Sequence, residues 1–380
     1  MDGVRAAMML LGVVFHAALP YTSARHFAGG DAASRHVAFD WLTLFLHSFR
    51  MPVFFIAAGF FAAMLLERRG ALGMARNRFM RIVLPLAIGF AILLPLASGA
   101  SDFARAVARS DSVMFGFEKL AAGDWLRWNN IHHLWFLVVL LAFYPVGVAV
   151  QAVLVRLGPV HRALVAGARR VLASPWRPIV LAVFCFGALS PAAFDAETLR
   201  SLSILPALPV LFALGWVVYG QRDMLAALRR HAWVYVGVGL ALLPLAVATF
   251  LPAQQGARGA DPLTAAIAMA VMMSFLAFGI LGLALTYLDR PNRAVRYASD
   301  AAYWIYLVHF PLVVFIGGLL AALAIPSWLK FLINVSVATS ILFLSYHYLV
   351  RFTVIGLLLN GRRHARGRGG DAAERVPEGP

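Results

Sequence analysis

Apolar runs of helix length recur along almost the whole chain, at residues 3–22, 41–66, 82–99, 133–155, 178–194, 202–220, 233–251, 264–288, 301–324 and 329–351. Crossing the hydrocarbon of a bilayer takes ~20 mostly apolar residues in helical form, because lipid offers no partner to a backbone N–H or C=O. A transmembrane barrel would show segments of about ten residues with alternating polarity, whereas these runs are unbroken. The expectation is an all-α polytopic membrane bundle of about ten transmembrane helices, occupying residues 1–351. Too little chain lies between the runs for a substantial soluble domain. Residues 352–380, which end in GRRHARGRGGDAAERVPEGP, read as a basic, disordered tail.

An even number of spans puts both termini on one side, and the basic residues choose that side. Segments on the side of the termini hold 23 Lys and Arg, the opposite segments hold nine, and Arg50 inside the second run completes the total of 33. The excess of Lys and Arg in cytoplasmic segments therefore places both termini in the cytoplasm. The same bias accounts for most of the net charge of +16, so the lipid bilayer is the implied partner and no nucleic acid is needed. LPYTSA after the first run imitates a signal-peptide cleavage region. A signal peptide, however, carries its charge ahead of the apolar core and rarely a His within it, so the run reads as a retained first span. The single cysteine, Cys185, excludes an internal disulfide and reads as packing.

Ionisable residues inside spans face a bundle interior or a watery cavity, and each is a functional candidate. They are His16, His47, Arg50, His309 and His347, with Arg5, His132, His133 and Asp300 at the margins. In VRAAMMLLGVVFHAAL, Arg5 and His16 are eleven residues apart. At ~100° and ~1.5 Å per residue they share one helix face and stand about 16 Å apart along the axis. Arg5 then lies at the inner mouth and His16 past the midplane. Taken singly, Arg5 also suits a snorkelling anchor, and His16 a packed, hydrogen-bonded core residue. In FLHSFRMPVFF, His47 and Arg50 are one turn apart at a depth similar to that of His16. An embedded Arg either ties two helices or binds an anion. His309, in YWIYLVHFPLV, sits about a third of the way into the ninth run and suits packing or function equally.

Two outer segments exceed mere connectors: 23–40, with His26, Asp31, His36 and Asp40, and 100–132, ending in GDWLRWNNIHHLWF. Trp125, Trp128 and Trp135 suit either interface anchoring or stacking on sugar faces, and Asn129, Asn130, His132 and His133 can bond hydroxyls. On the inner side, ERRGALGMARNRFMRIVLP holds five arginines. Topology alone would produce such a loop, but guanidinium forks also match the oxygens of a phosphorylated ligand. No Gly-rich phosphate loop is present.

These stretches together resemble the membrane acyltransferase-3 family over nearly the whole chain. MDGVRAAMMLLGVVFH is similar to the family's opening helix, with Arg5, ten intervening residues and His16. RFMR matches its Arg-x-x-Arg, here Arg78 and Arg81, and YWIYLVHFPLV is similar to its late Tyr/His/Pro span. Within the family, HSFRMPVFFIAAGFF and HHLWFLVVLL most resemble the branch that succinylates osmoregulated periplasmic glucans. The resemblance implies transfer of an acetyl or succinyl group from a cytoplasmic acyl-CoA to a hydroxyl of an extracytoplasmic saccharide, in a bacterial inner membrane, with no metal. Donor phosphates would meet Arg78, Arg81, Arg5 and Arg76, and His16 would meet the acyl group near the outer half. Trp128, Asn130, His132, His133 and His309 are the expected acceptor contacts. Histidine suits removal of a proton from an attacking hydroxyl near neutral pH, and an acyl-His intermediate is the alternative. Arg50 or His47 would stabilise the oxyanion; that role is inferred from depth and not from the family. Asp40 is a candidate to orient His16.

The rival reading is a transporter or exporter of a saccharide or lipid-linked saccharide, which would also use polar residues at mid-depth. Repeated halves with matching Gly/Pro breaks, frequent in transporters, are not visible in the sequence. An acyltransferase requires a path from Arg78 and Arg81 to His16, which a structure can test.

Overall fold

A computed structural model describes residues 2–23, 31–128, 130–186, 207–254, 261–288 and 292–360. His26, Asn129 and the tail from 361 onward lie outside the described residues. The described chain is helical, with no strand. Its first half holds α1 (Asp2–Ala18), α2 (Val37–Arg78), α3 (Leu84–Ser110), α4 (Val113–Ala121), α5 (Trp135–Arg156), α6 (Gly158–Ala173) and α7 (Arg177–Phe186). The second half holds α8 (Ala207–Gly220), α9 (Leu225–Arg230), α10 (Ala232–Gln254), α11 (Pro262–Tyr287), α12 (Arg293–Ala321), α13 (Ser327–Ser345) and α14 (Val354–Asn360).

Seven stretches among the described residues are long and apolar enough to cross a membrane, counting Val37–Ser110 as one because a π-turn at Phe79–Val83 joins α2 to α3. Two shorter apolar helices, α7 and α8, stand where the fifth and sixth runs fall. The part of the fifth run beyond Phe186 lies outside the described residues. The protein is an all-α polytopic membrane bundle.

Several boundaries differ from the hydropathy reading, each for a local reason. Helix α12 begins at Arg293, eight residues before the expected 301, because the Asn292 side chain accepts the N–H of Ala294 at 2.7 Å and caps the helix there. His309 is consequently mid-helix. Helix α3 runs on to Ser110, and α4 follows, so much of the expected outer segment 100–132 is helical. The expected tail opens with α14, which packs against α12 and the π-turn before α3.

Helix α12 is the hub, packing on α1, α3 and α13, while α2 packs on α1 and α8. Helices α2 and α8 cross at Gly59 and Gly215, where the backbones touch: a methyl at Gly59 would overlap the Phe212 carbonyl, and one at Gly215 the Ile56 carbonyl. In lipid, where apolar surface gains nothing by leaving its solvent, such small-residue crossings drive helix association through close packing. At the end opposite the arginine loop, Lys330 Nζ donates to Asp31 Oδ2 at 2.6 Å and to Ser34 Oγ at 3.0 Å, with side chains only 3% and 7% exposed for Lys330 and Asp31. This buried ion pair pins the segment before α2 to the start of α13.

Candidate active site

Four helices each present one stripe of side chains along a shared axis. On α1 the stripe is Arg5, Met9, Gly12 and His16, at spacings of four, three and four residues, which keep one face of a helix. On α2, running the opposite way, it is His47, Arg50, Phe54 and Phe61. On α5 and the turn before it, the stripe is His133, Leu137, Leu140 and Tyr144. On α12 it is Ser299, Tyr303, Tyr306 and His309.

At the arginine-rich end these stripes enclose a cavity of about 190 Å³. Arg5, Arg78 and Arg81 line its mouth together with Ser299, Asp300, Tyr303 and Asn360, and its inner end is closed by Met9, Phe54, Phe136 and Leu137. The Arg78 guanidinium stacks on Tyr144 at 4.5 Å and Arg5 lies over Phe61 at 5.6 Å. Arg76, expected beside them, is exposed and does not line the cavity. The Tyr303 hydroxyl and Ser299 Oγ are buried without a hydrogen-bond partner among the described residues. They give the cavity polar groups that hydropathy had not singled out.

The inner end stops one helical turn short of two candidate residues: Phe54 follows Arg50 by four positions, and Leu137 follows His133 by four. The path expected from Arg78 and Arg81 to His16 is therefore not continuous in this structure: His16 does not line the cavity and belongs to a buried histidine cluster beyond that wall. The rings of His16 and His309 are 5.1 Å apart between centroids, as are those of His133 and His309. Phe310 sits among them, 5.0 Å from His16, 5.1 Å from His132 and stacked on His133 at 5.2 Å. Arg50 lies 4.7 Å over the Phe15 ring, and His47 packs on the same ring at 5.4 Å. Gly12 makes this possible. A methyl there would meet Arg50 Nη1 at 2.8 Å and His309 Nε2 at 3.6 Å, so the missing side chain brings guanidinium and imidazole to the face that bears His16.

Backbone carbonyls only accept hydrogen bonds, which sets the tautomer that each of two rings takes in its neutral form. His309 Nδ1 donates to Tyr306 O at 2.8 Å and Ile305 O at 3.1 Å. His133 Nε2 donates to Leu307 O at 3.0 Å, and the Tyr306 hydroxyl donates to His133 O at 2.7 Å. His309 Nε2 and His133 Nδ1 are thereby left as acceptors, and neither has a partner among the described residues. His132 enters the cluster with φ +42°, in the left-handed region, and its N–H is held by Asn130 Oδ1 at 2.9 Å. Such backbone strain gathers at functional sites.

The remaining expected residues stand elsewhere. Asn130 thus serves the local backbone, and Trp128 is 57% exposed. Trp125 donates to Leu120 O at 2.8 Å and anchors the segment after α4. Asp40, considered as an orienter of His16, accepts the N–H of Ser23 at 2.9 Å. His347 faces Tyr297, 3.2 Å from its hydroxyl. Among the described residues no group of three or more ligating side chains is arranged to hold a metal. Phe310, Tyr306 and Gly12 join the cluster without being charged or standing out in the hydropathy pattern. Tyr306 lies three positions before His309 and Gly12 four before His16, so helical periodicity projected from the two histidines was the available signal.

A multi-pass helical membrane protein with a basic-mouthed cavity leading toward a buried histidine and arginine cluster is the class that fold and site define. The particular family follows from sequence comparison: the acyltransferase-3 family, described as an acyltransferase domain, matches residues 1–349, and the chain belongs to it. It is a membrane O-acyltransferase, which displaces the exporter reading. Similar proteins include the glucans biosynthesis protein C of Escherichia coli (strain K12) and that of Escherichia coli (strain SMS-3-5 / SECEC). Each is 26% identical over 385 aligned residues that cover 95% of this chain and 94% of the relative. No solved structure matches the chain.

Proposed function

We propose that the enzyme moves an acetyl or succinyl group from acyl-CoA, bound at the cytoplasmic end, to a hydroxyl of a saccharide on the far side of a bacterial inner membrane. A glucan is the acceptor class suggested by the relatives' name, and a periplasmic one is the acceptor that the sequence resemblance implies. The observation that carries the reading is the cavity whose mouth holds Arg5, Arg78 and Arg81 and whose inner end stops one turn from Arg50 and His133. Phosphates match guanidinium forks, and an extended thioester arm fits a narrow, partly apolar slot. For the thioester to reach the histidine layer, Met9 and Phe54 would have to turn aside.

In the reaction, the acceptor hydroxyl attacks the thioester carbonyl while His16 takes its proton. A carbon–oxygen bond forms, and the carbonyl oxygen becomes an oxyanion facing the Arg50 guanidinium. The tetrahedral intermediate collapses, the carbon–sulfur bond breaks, and the departing thiolate recovers the proton from His16. Such proton transfer contributes about 10²–10⁴ in rate, and one oxyanion donor about 10²–10³.

The test is transfer of radiolabel from acetyl- or succinyl-CoA to periplasmic glucans by the purified protein in nanodiscs, beside His16→Ala. Label transfer by the wild type, lost in the variant, is the expected result. Equal transfer by both removes His16 from the chemistry, and no transfer from either donor refutes the donor assignment. Label on the protein before acceptor is added, released by acid or neutral hydroxylamine as an acyl-imidazole is and absent from His16→Ala, would replace direct attack by an acyl-His intermediate.

A further inference from the structure

His16 takes and returns a proton in the scheme above, and its ring needs a partner that tolerates the charge. We propose that His309 is a positioning residue for His16: its Nε2 lone pair accepts the second N–H of the His16 ring when that ring becomes an imidazolium. The inference rests on the acyltransferase reading of His16.

Geometry selects His309 for this part. Its Nδ1–H is committed to the carbonyls of Tyr306 and Ile305, one turn back on α12, so the ring cannot flip to offer Nε2 as a donor without abandoning both bonds. Nε2 is buried, without a hydrogen-bond partner among the described residues, and lies 3.6 Å from where a Gly12 methyl would stand. That places it against the face of α1 that bears His16 one turn further on. The two rings are 5.1 Å apart and inclined at 49°. At that separation a small ring rotation brings an N–H of one to the lone pair of the other at about 2.9 Å, the ordinary hydrogen-bond distance.

The choice of an imidazole over a carboxylate follows from Arg50. Its guanidinium approaches the same point beside Gly12, 2.8 Å from the missing methyl. A carboxylate at position 309 would pair with that guanidinium and draw it from the oxyanion. A neutral imidazole accepts from His16 without competing for Arg50. When the thiolate leaves, the proton passes from His16 to sulfur, and His309 ends as it began, with no net gain.

Two substitutions separate this part from simple packing. In His309→Asn the amide nitrogen stands where Nδ1 stood and keeps the bond to the Tyr306 carbonyl, while the Nε2 acceptor is deleted. His309→Ala removes both. With the full-length protein in nanodiscs, labelled acyl-CoA and glucan, both variants are expected to lose about 10² in kcat with the donor KM unchanged, as for an interaction made only in the transition state. Imidazole added to His309→Ala is expected to restore part of the lost kcat, which no packing defect would allow. If wild type exceeds His16→Ala and His309→Asn matches the wild type, the positioning role is overturned while the acyltransferase reading stands. If His309→Ala is misfolded by thermal unfolding, the Asn variant alone decides. If wild type and His16→Ala are equally active, or neither transfers label, the reading of His16 fails and takes the inference with it.

Discussion

Gly12→Ala isolates the geometry of Arg50 from the stability of the fold. A methyl at that position meets Arg50 Nη1 at 2.8 Å, whereas ordinary contact begins at 3.4 Å. The guanidinium must therefore retreat by roughly 0.6 Å, and it can, being the far end of a flexible side chain. The other close atom, His309 Nε2 at 3.6 Å, is already at ordinary contact distance. Replacing glycine inside a helix by alanine favours the helix by up to about 1 kcal/mol, so the melting temperature should hold or rise slightly. A misplacement of 1 Å can remove about 10² in rate, and a retreat of this size should remove about tenfold, or about 1.4 kcal/mol of barrier. The measurement is kcat for acyl transfer beside thermal unfolding of the same preparations. In an Arg50→Lys background, where the fork is already gone, Gly12→Ala should add little, giving a coupling in the double-mutant cycle. Full activity in Gly12→Ala at unchanged stability would refute the placement of Arg50 beside the reacting carbonyl.

Other expectations are distributed over the molecule. Arg78→Gln and Arg81→Gln should raise the donor KM more than they lower kcat, and raising salt should weaken donor binding in the wild type more than in either variant; steady-state kinetics at two ionic strengths checks this. Gly59→Ala or Gly215→Ala should lower the melting temperature or prevent folding, because a methyl at either position meets backbone and not a movable side-chain end; thermal unfolding in detergent reads the outcome. Lys330→Met leaves the Asp31 carboxylate buried without its cation and should destabilise by about 3–5 kcal/mol, with much of the loss recovered in Lys330→Met/Asp31→Leu.

The helical class and the positions of most spans were legible because lipid imposes a length and a polarity on each segment. The stripe of Arg5 and His16 was legible for the same reason, since both lie on one continuous helix and its period is fixed. Partnership between helices was less visible. That Gly12 faces Arg50, or that Phe310 sits among three imidazoles, depends on how α1, α2, α5 and α12 pack, and hydropathy does not encode packing. His309 was placed too shallow because the polar residues 293–300 hid the first two turns of α12, whose start is set by the Asn292 cap and not by apolarity. Arg76 looked equivalent to Arg78 and Arg81 in the sequence, yet a shift of two residues is about 200° on a helix and turns it outward. Trp128 and Asn130 likewise share their segment with His132 and His133 without sharing their burial.

The wall of Met9, Phe54, Phe136 and Leu137 between the arginine mouth and the histidines has an electrical consequence. A membrane that stores energy as a voltage and a proton gradient is short-circuited by any continuous wet path, and a row of imidazoles would make such a path a good proton wire. Four apolar side chains interrupt it. On the proposed reading, insulation and access fall to the same residues, because an acyl chain bound at that level would itself replace the water.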